Sequence, residues 1–333
     1  MVRKTSAQNS NSIDLRKVVG PPIAEDPILS DLHNRLSNKV LHCIFDYGGQ
    51  KGDRTRDLAY AEIMDQLAGR VPFWWKEVKT PVPSFDTIST GFVLAQLALA
   101  PRPINTPSWE RIFYVNCAPR KDRPTARRKN NEGEPLVWGV LNNGAHVIAV
   151  NSGNTLSFLR TDFRYLFETS VKKGGSQFRS RDNFPRFVGK LARHEDFSDL
   201  LRRRFTAKDL LAIPKPPKSV IGYVDSFGNM KLTIRADDPQ ILRLKPGTEL
   251  TIVIAANHMT ERGISEDGGI HNPASLATGS FNVFEGQLAL APGSSGHNNR
   301  FLEIFLRGGS AVRAYRYPRA GDKVSIFPRK LTA

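Results

Sequence analysis

Cysteine is scarce: the 333 residues hold two, Cys43 and Cys117, each inside its own apolar, strand-like segment. Two thiols make no disulfide framework, so a disulfide-stapled fold is excluded and a reducing cytoplasm is the expected setting. Long apolar runs are lacking too, and none approaches the ~20 residues of a membrane-spanning helix, so no membrane partner is expected. The opening "MVRKTSAQNSNSIDLRKVVGPP" lacks the apolar centre of a secretory signal and reads as a flexible arm. There is no G-x-x-x-x-G-K-S/T, no H-E-x-x-H and no G-x-G-x-x-G, which removes the phosphate-cradling loop, the zinc-peptidase helix and the dinucleotide fingerprint. "GGQKGD" after the first strand is glycine-rich without the required spacing. None of the seven histidines stands at metal-ligand spacing from another, so no metal is expected. Nor is there an internal repeat of fixed period.

Positive charge is abundant. Lys and Arg number 48 against 32 Asp and Glu, a net charge of +16. Such an excess favours anionic partners at long range. It gathers in "RKDRPTARRKNN" (120–131), in "LRRRF" (201–205) and at both ends of the chain. A nucleic-acid surface is one reading, and solvated loops and helix faces the other. No zinc-finger spacing, helix-turn-helix pattern or aromatic RNP-type strand accompanies the charge, so nucleic acid is not the favoured partner.

The length accommodates two cores. After a lead-in (1–38), "KVLHCIFDYGG" is an apolar run ending in Asp46 and two glycines, as a buried parallel strand runs into a ligand-facing loop. "RDLAYAEIMDQLAG" has helical spacing and a glycine stop, "PFWWKEVK" reads as a strand, and "SFDTISTGFVLAQLALAP" has a broad apolar helical face. "RIFYVNCAP" is another buried strand, "PLVWGVLNNGAHVIAV" is two strands about Asn142-Asn143-Gly144, and "FRSRDNFPRFVGKLAR" becomes a helix. This alternation predicts a Rossmann-like α/β domain with a mostly parallel sheet over 39–212. The proline-rich stretch 213–219 reads as a stiff linker. Beyond it, 220–333 is a series of short β-rich segments between Gly and Pro, predicting an all-β barrel domain.

Two acids draw attention. Asp46 ends the first strand, where an open α/β sheet binds ligands, and an ionised carboxylate there suits the two hydroxyls of a ribose. The alternative is a turn or helix cap. In "GYVDSFGNMKLTI" (222–234), Asp225, Phe227 and Asn229 interrupt a strand with an acid, a ring and an amide, a set able to hold a polar ligand with a flat base.

Several segments, in order, resemble the S-adenosyl-L-methionine hydroxide adenosyltransferases, the family of the fluorinase and chlorinase. "FDYGG" is similar to the family's T-D-F-G strand end, with Asp46 at the acid, and "TPVPSFDTISTGFVLAQLA" to its following helix. "NNGAH" (142–146) resembles the N-N-G-L-L turn, and "QFRSRDNF" (177–184) the T-F-H/Y-G/S-R-D/E segment. "VDSFGNMKLTI" resembles I-D-x-F-G-N-x-x-T-N-I, and "RFLEIFLRGGSA" (300–311) resembles G-Y-L-E-I-A-x-N-G-G-x-A. The resemblance implies an α/β domain, a β-barrel domain, and a homotrimer with active sites between subunits. It implies that Asp46 holds the ribose hydroxyls, Asp225 meets the methionine ammonium, Asn229 bonds the adenine edge and Phe227 walls the base. Asn143 and Phe178 join the substrate-binding set through their motifs.

The implied reaction is attack at ribose C5′, giving adenosine and methionine from S-adenosyl-L-methionine, with no cofactor besides that substrate. The chain departs from the family where water is activated. Ala118 stands at the family's Asp and Arg179 at its His, a cation that cannot act as a base. Arg127 keeps the later arginine across an insertion, and Ser180 matches the serine of the halide-using members, whose Tyr and Thr are replaced by Ala118 and Lys121. Arg127, Arg179 and Ser180 are therefore the candidate catalytic residues. Transfer to a halide or another anion is the alternative, as is an adenosyl-binding or basic-surface protein without catalysis.

Overall fold

The computed structural model describes residues 38–47, 58–101, 109–117, 134–170, 178–255, 269–293 and 301–329. Arg127, Ala118, Lys121 and the N-terminal arm lie outside these residues. The chain is a mixed α/β protein with two seven-stranded sheets.

The first sheet comprises β1 (Asn38–Phe45), β2 (Lys76–Pro81), β3 (Trp109–Asn116), β4 (Leu136–Leu141), β5 (His146–Val150), β6 (Phe163–Thr169) and β7 (Leu201–Arg204), in the order β2-β1-β3-β5-β4-β6-β7. β2, β1, β3 and β5 pair parallel. β4, β6 and β7 join antiparallel. The expectation of a mostly parallel sheet is thus corrected to a mixed one. The physical reason is the turn at Asn142-Asn143-Gly144, where Gly144 takes φ +85° and the chain folds back as a hairpin.

Helices cover both faces of the parallel half. On one side α1 (Leu58–Ala68) brings Tyr60, Ile63 and Leu67, and α3 (Arg179–Ala192) brings Phe184, Phe187 and Val188, onto Leu41, Phe45, Ile112 and Tyr114. On the other, α2 (Thr87–Ala98) lays Phe92 and Ala95 on Ile44, Phe113 and Val115. Buried on both faces, these strands are nearly continuous apolar runs. Asp86 caps α2, accepting from Ser89 N at 2.9 Å and Ser89 Oγ at 2.6 Å.

The second sheet comprises β8 (Ile221–Val224), β9 (Met230–Arg235), β10 (Glu249–Ala255), β11 (Ile270–Leu276), β12 (Leu288–Pro292), β13 (Phe301–Leu306) and β14 (Lys323–Pro328), in the order β14-β10-β11-β12-β13-β9-β8. It is antiparallel except for β11 and β12. It curls into a half-barrel around Ile221, Leu232, Ile252, Leu290, Ile304 and Tyr315. Its edges meet at a Val220–Lys323 bridge, with Ile221 N donating to Asp322 O at 3.0 Å.

The two sheets share α2. Phe92 packs on Phe301 of β13 at 5.0 Å between ring centroids, and Gly222 of β8 leaves room for it: a Cβ there would come within 2.6 Å of the ring. The proline stretch is tied at its start, because Ile213 is buried in the α2 core. No helix among the described residues is long and apolar enough to cross a membrane.

Candidate functional site

The chain leaves β1 for β2 on one side and later returns to β3 on the other, so the crevice between the C-terminal ends of β1 and β3 is the sheet's switch point. Open sheets bind ligands at such a point because the connections diverge there and leave a cleft. Asp46 stands at this cleft, 8% exposed, with its backbone N–H on Asn116 O at 3.1 Å. Its Oδ2 accepts from Phe85 N at 3.0 Å. Phe85 takes φ +62°, a left-handed conformation rare for a bulky residue, and its ring is half exposed beside the cleft. Strained backbone of this kind gathers at ligand sites.

Asp86 lies next in sequence, and burial raises its carboxyl above the usual range against the opposing hydrogen bonds from Ser89. Cys117, just past β3, is buried, and its thiol is pushed far up, first by burial and then by the Asp46 charge. A thiol so held is inert as a nucleophile.

The opposite wall comes from the start of α3. Asn116 Nδ2 donates to Ser180 Oγ at 2.7 Å, and Tyr114 OH to Ser180 O at 3.2 Å, which fixes Ser180 at the end of β3. Tyr47 OH lies 3.5 Å from the same Oγ. The Tyr47 ring meets Phe178 edge-on at 5.3 Å. Arg179 donates through Nη1 to Glu134 O at 3.3 Å, while its buried Nε has no hydrogen-bond partner among the described residues. Burial lowers the Arg179 pKa, with Glu134 opposing. Asp46, Phe178, Arg179 and Ser180 are therefore brought to one rim.

Asn143 is not. It sits in the β4–β5 turn, at the end of the sheet opposite the cleft, donating from Nδ2 to Ala98 O at 2.8 Å at the end of α2 and accepting from Ala145 N.

Asp225, Phe227 and Asn229 form the β8–β9 loop. Asp225 Oδ1 accepts from Phe227 N at 3.0 Å and Asn229 N at 2.9 Å, and Oδ2 accepts from Asn229 Nδ2 at 3.2 Å. Gly228 turns the loop at φ +83°, and Phe227 is left 77% exposed. Beneath lies a buried ammonium: Lys231 of β9 is paired with Glu303 of β13 and stands 3.6 Å from Asp225 Oδ2.

Within one chain the two sets lie apart. Gly321, bonded to Ile221 O, approaches Ile88 in the first turn of α2, and Gly222 approaches Phe92 one turn on. β8 therefore runs along α2 away from Asp46, and carries the Asp225 loop toward the other end of that helix.

Reading the sequence missed Phe85, Asn116, Tyr47, Lys231 and Glu303. The signals were slight: Asn116 ends an apolar strand, and Glu303 sits in the quoted "LEI".

No family model matches the chain, and no curated protein does. Among solved structures, it is similar to an uncharacterized conserved protein from Thermotoga maritima, with a TM-score of 0.63 and 17% identity over 86% of this chain and 99% of that one. A conserved hypothetical protein from Thermus thermophilus is similar at a TM-score of 0.55 and 15% identity, over 87% of this chain and 100% of the other. The class these likenesses define is a fold: an α/β sheet followed by a half-barrel, kept over almost the whole of each neighbour.

Proposed function

We propose that the protein is a cytoplasmic enzyme that cleaves an adenosyl sulfonium at ribose C5′, taking S-adenosyl-L-methionine to adenosine and methionine. The observation that carries this reading is the buried Asp46 carboxylate at the switch point, its backbone bonded to the same Asn116 whose amide orients the Ser180 hydroxyl. In this reading the first sheet serves as a Rossmann-like nucleoside crevice and the half-barrel as a barrel domain of a homotrimer. Asp46 accepts from the ribose hydroxyls, and Tyr47, Phe178 and Phe85 give the cleft apolar walls. The Asp225–Asn229 loop of a neighbouring copy closes the cleft, with Phe227 against the base.

Water attacks C5′ opposite the sulfur, and the C5′–S bond breaks with its electron pair going to sulfur. Methionine leaves neutral, so the leaving group needs no acid. The proton lost by the attacking water passes to solvent. Rate enhancement then comes from alignment and exclusion of bulk water, with the Ser180 hydroxyl holding the attacking oxygen. Arg179 supplies positive charge and no base.

One observation favours a second reading. The buried Nε of Arg179, beside Ser180 in the first turn of α3, suits an anion as the nucleophile, a halide included. Incubation with S-adenosyl-L-methionine, with and without chloride or fluoride, separates the two by chromatography. Adenosine alone supports hydrolysis, and a 5′-halo nucleoside supports the anion reading. An unchanged sulfonium that binds in an Asp46-dependent way leaves a ligand-binding protein.

A further inference from the structure

We infer that Asp225 is occupied by its own loop and by Lys231, so that the half-barrel side of the site selects the nucleoside and ignores an amino-acid tail. The inference rests on the adenosyl-ligand reading and narrows its ligand class to adenosines bearing a sulfur substituent at C5′.

An ionised carboxylate offers about four acceptor directions. Asp225 Oδ1 takes two backbone N–H groups, from Phe227 and Asn229. Oδ2 takes the Asn229 amide and faces the Lys231 ammonium at 3.6 Å. Lys231 is 4% exposed and its partner Glu303 also 4%, so this ammonium is held in place from below. A second ammonium arriving from a ligand would meet a carboxylate with three acceptor directions taken by its own loop and the fourth facing the Lys231 ammonium, which lies between it and Glu303. At that range the nearer ammonium opposes a second one at the remaining acceptor direction. The same bonds hold the loop so that the Phe227 ring projects outward. Asp225 is therefore a positioning residue, Lys231 the specificity-determining one, and Phe227 the ligand contact.

The test is calorimetric titration of the full chain with S-adenosylhomocysteine and with 5′-methylthioadenosine, which share the nucleoside and thioether and differ by the amino-acid tail. The expected dissociation constants agree within about threefold, and Phe227→Ala weakens both alike. A preference of about tenfold or more for S-adenosylhomocysteine, the scale of one charge-assisted hydrogen bond, overturns the inference and leaves the adenosyl reading standing. Lys231→Met removes the like charge and is expected to create a preference for the tailed ligand of about that size, while an unchanged ratio counts against the inference. Should that variant not fold, the wild-type ratio decides. Binding of neither ligand overturns the adenosyl reading, and this inference with it.

Discussion

His42 on β1 and Asp46 just past its end sit four residues apart, and they do opposite things with charge. Asp46 reaches the cleft and takes an N–H from Phe85. Asp46→Asn keeps an acceptor for Phe85 but loses the charge and one acceptor, so adenosine affinity is expected to fall about tenfold or more with little change in stability. Titration of the variant checks this, and equal affinity would remove Asp46 from the ligand site. His42 is stacked on Phe113 with ring centroids 4.5 Å apart. Its pKa is lowered to about 4, by burial first and by Arg111 second. The folded state thus prefers neutral His42, and between the ordinary value of 6.5 and about 4 the unfolded chain binds the extra proton. This contribution to stability is full above pH 6.5 and is lost as pH falls toward 4. Urea unfolding across that window should show a shallower acid-side loss in His42→Leu than in the wild type.

Among the elements, α2 determines most, since one helix caps the cleft, covers the first sheet and carries the half-barrel. Its fit is tightest at Gly91, where a Cβ would lie 2.2 Å from Asn154 O. Gly91→Ala is expected to destabilise the protein by about 1–3 kcal/mol through overpacking. Gly69, past the end of α1, has nothing within 4 Å of a built Cβ, so Gly69→Ala should be near neutral. Equal midpoints for the two in thermal unfolding would contradict this account of α2. The helix was legible in "SFDTISTGFVLAQLALAP", because the apolar spacing is helical, while its Asp86 cap was seen only in the structure. β6 and β7 were not. "FRYLFET" carries Arg164 among its apolar residues, and "LRRRF" reads as a charge cluster. In the fold it is an edge strand whose arginines reach Glu168 and Asp209. Charge on an edge strand blunts pairing with another sheet, a role visible only once the neighbours are known. β11 escaped because Pro273 inside "IHNPASL" argues against a central strand.

For the whole molecule, the separation of the Asp46 rim from the Asp225 loop within one chain makes assembly the decisive matter. If two copies complete one site, Asp46→Ala and Phe227→Ala chains, each inactive alone, should complement when refolded together. In a closed ring with random mixing, about a quarter of the sites then carry both intact halves, and adenosine formation should return to about a quarter of the wild-type rate. Chromatographic assay of the mixture checks this. A monomer in sedimentation, or no recovery on mixing, would place each site within a single chain.

The sequence by itself determined the strands of the parallel half, the α2 helix, the hairpin at Asn142-Asn143-Gly144 and the change to short β segments beyond the prolines. These depend on periodicity and turn chemistry, which act between near neighbours in the chain. Tertiary structure alone decided that β6 and β7 extend the first sheet antiparallel, that Ser180 is held by Asn116, that Asn143 lies at the wrong end of the sheet for the cleft, and that Glu303 of β13 pairs with Lys231 beneath Asp225. Each of these joins residues distant in sequence through packing, which is a property of the assembled fold.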